Sequence, residues 1–335
     1  MPQPVKVFIT IDTEVWPQSP DWPHVPLAPG EQCERELSWY FYGADAARGY
    51  GIPYQLRTFR ARLLKASFFV DPLFSFALGE APLRELLALI QKDGQEIGLH
   101  LHPEWLTDTR CEGLPSFAGP LLHGYSEDEQ FALIRAGLSR LREVGAQRVA
   151  AFRAGSWSAS LATLRALGQN GITCDTSLNA SFAVSFADLP DRLSLTQPKL
   201  LEGVWEFPVT TFIDRPPAGR RPLHVCAASF SEFRTVLEHA AANAWFAVII
   251  VLHSFEFVRI DRLASSDLAV PQRLVARRFE RLCDYLSANS DRFETCHFAD
   301  LHEALMQTAG QREVAISSCR RTAMRQAQQL VSRIY

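Results

Sequence analysis

Short apolar runs that stop at charged or imidazole side chains recur along this chain, and between them apolar residues repeat at helical spacing. Residues 5–11 are rich in β-branched and aromatic side chains and end at Asp12-Thr13-Glu14, which predicts a buried strand with a polar C-terminal end. Residues 65–70 predict a second strand, and the run from Gly94 a third that carries His100 and His102 before Pro103 stops it. Residues 148–152 lead to Arg153, residues 171–174 to Asp175, and the fully apolar run 244–252 to His253. Further strands are predicted at 205–210 and 293–298. Between the runs, Leu83, Leu86, Leu87 and Ile90 make one helical stripe, and Val275, Phe279, Leu282 and Leu286 make another. Phe131, Ile134, Leu138 and Leu141 follow a capping box at Ser126–Glu129. Helices are also expected at 56–64, 161–167, 233–241 and 301–306.

Strands alternating with helices imply a parallel sheet with right-handed crossovers, and about seven such units suit a closed or nearly closed (β/α) barrel. In a barrel, Asp12, Glu14, His100, His102, Arg153, Asp175 and His253 would converge on the C-terminal mouth, where such folds place their chemistry. The barrel is expected over 1–309, with a proline- and aromatic-rich insertion at about 16–54 lying over the mouth. Residues 310–335 form a tail with five arginines and one glutamate, read as a packing helix or as a basic helix touching an anionic membrane surface.

Composition changes this picture little. The 335 residues are 47% apolar, enough for a large core, and a net charge of -3 argues against a nucleic-acid partner. No run is long enough to span a membrane, and the N-terminus shows no export signal. Seven scattered cysteines without a Cys-x-x-Cys pair fit reduced thiols, so a cytoplasmic location is expected.

Two histidines separated by one residue on a strand point to one face with Cα atoms about 6.6 Å apart, a spacing that suits two ligands of one metal ion. Alone, such a pair is a weak motif. Asp12 and Glu14 share a face in the same way.

With these residues in view, the chain resembles the polysaccharide deacetylase family. The matching pieces are Thr10-Ile-Asp-Thr-Glu14, Lys65-Ala-Ser-Phe-Phe-Val70, Glu96-Ile-Gly-Leu-His-Leu-His-Pro103, Phe152-Arg-Ala-Gly-Ser-Trp157, Cys174-Asp-Thr-Ser177 and Val251-Leu-His253, in the family's order. The resemblance implies a distorted (β/α) barrel of the deacetylase type and a divalent metal held by two histidines and one carboxylate. By position it makes Asp12 the catalytic base, Glu14, His100 and His102 the ligands, and Arg153 the neighbour of Asp12. Two departures stand out: the family's adjacent Asp-Asp is here Asp-Thr-Glu, and its two histidines four residues apart are here two apart. Exchanged roles for Asp12 and Glu14 therefore stay open, as does a third ligand such as His123.

Two imidazoles and a carboxylate suit Zn²⁺ or a similar transition metal, which would polarise an amide carbonyl and acidify water. His253 would protonate the leaving amine, with Asp175 orienting it and raising its pKa. Trp157, Trp105 and Trp16 would offer faces to sugar rings. His224, His239, His297 and His302 match no motif and read as surface or satisfied core residues. The expected activity is removal of an N-acetyl group from a sugar, as in an intracellular intermediate of surface polysaccharide synthesis. The rivals are a hydrolase of another linear or cyclic amide on the same scaffold, an amidohydrolase of the His-x-His type, and a metal-free barrel that binds glycans.

Overall fold

Every inward side chain of the first strand lies at an even-numbered position, and that parity organises the molecule. The computed structural model describes residues 3–15, 34, 36–43, 49–107, 111–214, 219–261 and 268–334. Strand β1 (Val5–Thr13) sits inside the main sheet, with β10 (Ala247–His253) on one side along its length. Its other edge is shared: β13 (Phe293–Thr295) pairs with Val5–Val7, and β2 (Ser67–Val70) pairs with Thr10–Thr13. From β2 the sheet continues in parallel through β3 (Glu96–Leu101), β4 (Ala151–Ala154), β5 (Cys174–Asp175) and β7 (Val204–Glu206). The short β6 (Lys199–Leu201) turns back antiparallel on β7. The path β10-β1-β2-β3-β4-β5-β7 thus has seven parallel strands in a curled, barrel-like sheet, as the alternating pattern predicts.

The two ends of this path are joined by an irregular stretch. Val209 N–H donates to Leu178 O at 2.8 Å, and Thr210 Oγ1 accepts from Ile249 N at 2.9 Å, so residues 209–210 connect the β5 side to β10. Lower down, the Gln197 side-chain carbonyl accepts from Phe246 and Ala247 N–H, each at 2.9 Å. These contacts satisfy strand-edge groups that would otherwise be orphaned.

Even positions of β1 face the barrel interior and odd ones face the helices. Phe8 packs with Phe69, Phe207 and Phe298 into an aromatic plug, with Phe8–Phe298 centroids 4.5 Å apart. Val7, Ile9 and Ile11 belong to the larger outer core with α1 (Ile52–Arg62), α3 (Ala81–Lys92), α4 (Glu127–Glu143), α5 (Leu161–Gln169), α6 (Phe230–Ala242) and α7 (Arg273–Ala288). The predicted stripes on α3 and α7 are fully placed in this core, and the capping box opening α4 forms as read. α2 (Phe74–Leu78) and α8 (Glu303–Met306) are single turns.

Three antiparallel pieces are absent from the periodicity because each strand is only three or four residues long: the β6–β7 turn-back, β8 (Thr211–Ile213) with β9 (Arg220–Pro222), and β11 (Val258–Asp261) with β12 (Leu268–Pro271). The described part of the aromatic insertion packs more than it projects. Trp39 and Phe41 are buried, and Tyr54 donates to Glu280 at 2.8 Å, while Tyr40 reaches Phe255 beside the mouth at 5.2 Å. The tail helix α9 (Cys319–Ile334) docks on the barrel: Arg325 is buried and bonds Asp214 at 2.7 Å and Glu232 at 3.2 Å. Among the described residues, no helix is long and apolar enough to cross a membrane.

Candidate metal centre and its surroundings

Above the aromatic plug the interior turns polar layer by layer. Arg153, wholly buried, lies over the Phe69 ring at 4.7 Å. It donates to Asp12 Oδ1 at 2.6 Å, to Thr10 Oγ1 at 2.8 Å and to Thr176 O at 3.1 Å. A guanidinium out of water is tolerable only with its donors used, and here all three nitrogens have acceptors. Its carboxylate partner is therefore held in one orientation.

The next layer up holds Glu14, His100 and His102, all at most 4% exposed. Glu14 Oε2 lies 3.0 Å from His100 Nε2 and 2.5 Å from His102 Nε2. The other ring nitrogens are spoken for: His100 Nδ1 lies 2.7 Å from Arg153 O, and His102 Nδ1 3.2 Å from Glu104 Oε2. A carbonyl oxygen only accepts, so His100 carries its proton on Nδ1 and, when neutral, turns a bare Nε2 lone pair toward the Glu14 carboxylate. Lone pairs facing a carboxylate call for a cation between them. Two imidazoles so oriented by an outer carbonyl and carboxylate fit a transition metal. In the metal-free protein a proton on His102 fills that role. Burial would raise the Glu14 carboxyl, but His102 and His100 outweigh it and hold it well below its ordinary value; burial would lower His102, but Glu14 and Glu104 push it well above.

Local backbone features serve this layer. Position 98 faces inward between Glu96 and His100, and a Cβ there would stand 2.6 Å from the Phe69 ring, so only glycine fits. At Gly155 a Cβ would fall 2.8 Å from the His102 ring. Ser156 and Trp157 then adopt left-handed conformations, φ 52° and 60°, which bring the half-buried Trp157 ring over Arg153 at 5.1 Å. Such backbone costs on the order of 1–3 kcal/mol per residue and recurs at functional sites.

His253 pairs in register with Asp12 across β10 and β1. Its Nε2 lies 3.9 Å from Asp12 Oδ2 and 4.0 Å from Glu14 Oε1, and its Nδ1 lies 2.8 Å from Glu256 Oε1. Burial would lower this imidazole, yet the Glu256 carboxylate, helped by Glu14 and Asp12, pushes it up to about 9.

The strand-end residues Asp12, Glu14, His100, His102, Arg153 and His253 therefore meet in one place. Others do not serve as expected. Asp175 is not the partner of His253; Glu256 is, because the turn after β10 returns three residues later to the same ring. Asp175 accepts from Ser177 Oγ at 2.6 Å and faces Glu206. The remaining oxygens of this buried pair, Asp175 Oδ2 and Glu206 Oε2, have no donor between them unless one carboxyl keeps its proton. Burial accordingly raises both, Glu206 most. Trp105 is not a groove residue: it is wholly buried, donates from Nε1 to Val15 O at 3.0 Å and packs on Phe74. Trp16 lies outside the described residues. His123 donates its backbone N–H to Ser158 O and is not among the described residues whose ligand atoms converge with those of Glu14. His224 bonds Glu256.

Three further residues border the site: Glu104, Glu256 and Asp71. Glu104 and Glu256 each lie two or three positions past a histidine, a local signal that was available. Asp71 ends β2 in the inward register of Ser67 and Phe69, and burial pushes it up to about 8 although His102 opposes the shift.

No protein-family model and no curated protein matches the sequence. Solved structures do share the fold. A protein from Mycobacterium smegmatis described as a polysaccharide deacetylase superposes with a TM-score of 0.54 at 16% identity, covering 95% of this chain and 96% of that one. The 4-alpha-glucanotransferase of Thermococcus litoralis gives 0.51 at 10% identity over 94% of this chain and 42% of its own. A GH57-type branching enzyme of Pyrococcus horikoshii gives 0.50 at 11% over 94% and 72%. The chain thus has the barrel fold of polysaccharide deacetylases, a fold that sugar-transferring enzymes also use, and the choice among chemistries falls to the side chains.

Proposed function

We propose that this chain is a metal-dependent hydrolase that removes the acetyl group from an N-acetylated sugar. The observation that carries this reading is the buried Glu14/His100/His102 group beside an Asp12 that Arg153 holds in place. Glu14, His100 and His102 would hold the ion, most naturally Zn²⁺, which when bound supplies Lewis-acid polarisation of an amide carbonyl and acidification of water. Asp12 Oδ2, the oxygen not bonded to Arg153 Nη1, accepts the proton from the attacking water. His253 Nε2, aimed at the same space, donates a proton to the departing amine, and Glu256 on its Nδ1 keeps the ring oriented and charged. The half-buried Trp157, 6.1 Å from the exposed Phe182, offers an apolar face for a sugar ring.

The sugar-transferring relatives of the fold suggest glycosidic cleavage as a second reading. That chemistry needs two open carboxyls flanking the bond, about 5–9.5 Å apart. Here Asp175 and Glu206 are wholly buried against each other, and Asp12 is committed to Arg153. The amide reading fits better.

The test is elemental analysis of tag-free protein with acetate release from N-acetylated sugar oligomers measured alongside. About one equivalent of metal tied to Glu14 and His100, with acetate released only by the loaded protein, is the expected result. Failure to take up metal at this group after reconstitution would remove the hydrolytic reading in favour of a glycan-binding barrel.

A further inference from the structure

A second group of metal-binding side chains lies on the far side of His253. His224 Nε2 contacts Glu256 Oε1, His253 Nδ1 lies 2.8 Å from that same oxygen, and Cys226 Sγ lies 3.6 Å from His224 Nε2. The ligand atoms of His224, His253 and Glu256 all fall within 4.8 Å of one another. The Cys226 thiol also lies against the Glu256 carboxylate, whose second oxygen, Oε2, is buried and accepts no hydrogen bond.

The backbone builds this group from two directions. Residues 223–225 run beside β10, with Val225 N–H donating to Val251 O at 3.0 Å and Val251 N–H to Leu223 O at 3.1 Å. That pairing brings His224 and Cys226 alongside the end of β10, and Arg278 Nη1 anchors the chain there by donating to Cys226 O at 3.0 Å. The turn 254–257 returns Glu256 to His253 from the other side.

From this geometry we infer a second transition-metal site formed by His224, Cys226, His253 and Glu256. Ligand atoms of a tetrahedral centre with bonds of about 2.0–2.3 Å stand about 3.3–3.8 Å apart, so side-chain shifts of under about 1 Å open the group around an ion. Two neutral imidazoles, one thiolate and one carboxylate carry two negative charges and neutralise a divalent cation. The thiolate favours Zn²⁺ or Co²⁺ over Mg²⁺ or Ca²⁺. All four side chains are partly exposed, which gives the ion a way in. Occupancy has a structural consequence: an ion on Nδ1 of His253 forces its proton onto Nε2, the nitrogen that faces Asp12 and Glu14.

The site is separable from the first. Full-length protein stripped with a chelator is titrated with Co²⁺ while the absorption spectrum is followed, in the wild type, in H100A/H102A and in both backgrounds carrying C226S. Expected are about two equivalents in the wild type and about one in H100A/H102A, both with thiolate-to-cobalt charge-transfer absorption that C226S abolishes. His224→Ala, which keeps the thiol, should weaken this binding at least about tenfold, covering the case in which C226S does not fold. Loss of the first site with the charge-transfer band kept would sink the proposed hydrolase but not this inference. Absence of the band in the wild type, its persistence in C226S, or no Co²⁺ uptake by folded H100A/H102A would each overturn the second site.

Discussion

Two clusters of histidine and carboxylate meet at His253, and they are built differently. In the Glu14/His100/His102 group every ligand stands on or just beyond a strand of the sheet and is buried. In the His224/Cys226/His253/Glu256 group one ligand ends a strand, one sits in a turn, and two follow an irregular stretch paired to the sheet edge. Strand alternation fixes the first group before any ion arrives, because moving one ligand means shifting a whole register. The second depends on a turn and an edge, where local opening costs less. In the proposed hydrolase the first would be the rigid working centre, and the second the softer place where the properties of His253 are set.

The largest effect should come from breaking the rigid cluster. His100→Ala removes a ligand and the bond that ties it to Arg153 O, and should abolish stoichiometric metal at this centre together with acetate release. Asp12→Asn is the sharper probe, since it should leave the metal bound and lower turnover by about 10²–10⁴-fold. Metal loss in both would make Asp12 a ligand and exchange its role with Glu14. Arg153→Ala tests the layer beneath: an uncompensated buried Asp12 should cost about 3–5 kcal/mol in denaturant unfolding of the metal-free protein.

The same contrast explains what could be read from the chain. Asp12, Glu14, His100, His102, Arg153 and His253 each follow an apolar run, and a parallel sheet carries every such end to one mouth, so their meeting was legible. Strand parity does not say which way a following turn folds, so the sequence points to Asp175, which another strand end also puts at the mouth, and not to Glu256 as the partner of His253. His224 and Cys226 sit where residues 223–225 pair with β10 without any alternating run of their own, which left no periodic signal. Trp105 failed for another reason: nearness in sequence to His102 says nothing about burial, and its side chain turns down onto Phe74 and Val15.

A smaller effect should come from the softer cluster in the absence of metal. Glu256→Gln keeps the shape but removes the charge that holds His253 up at about 9, so its imidazole titration, followed by NMR, should fall toward the ordinary value of about 6.5. The sign in stability follows. A histidine raised on folding contributes fully below its unfolded pKa and loses that contribution as pH rises through its folded one. The stability difference between wild type and Glu256→Gln should therefore be largest near pH 6 and shrink between about pH 6.5 and 9. The Glu256 carboxyl, which burial would raise but His224 and His253 lower, adds a contribution that fades as pH falls through the acid range. An unchanged His253 titration would show that Asp12 and Glu14, not Glu256, set its charge.

The smallest effect separates binding from chemistry. Trp157 stacks on Arg153 from a left-handed backbone and lies 6.1 Å from Phe182. If its exposed edge meets a sugar ring, Trp157→Phe should keep most of the affinity. Trp157→Ala should raise KM for N-acetylated oligomers by roughly 5–30-fold, the equivalent of about 1–2 kcal/mol of ring contact, with kcat changed much less. If Trp157 instead acts by covering Arg153, Trp157→Ala should lower kcat and unfolding stability together and leave KM alone. Steady-state kinetics on the metal-loaded protein beside a denaturant titration distinguishes the two, and a fall in kcat alone would move Trp157 from the sugar platform to the support of Asp12.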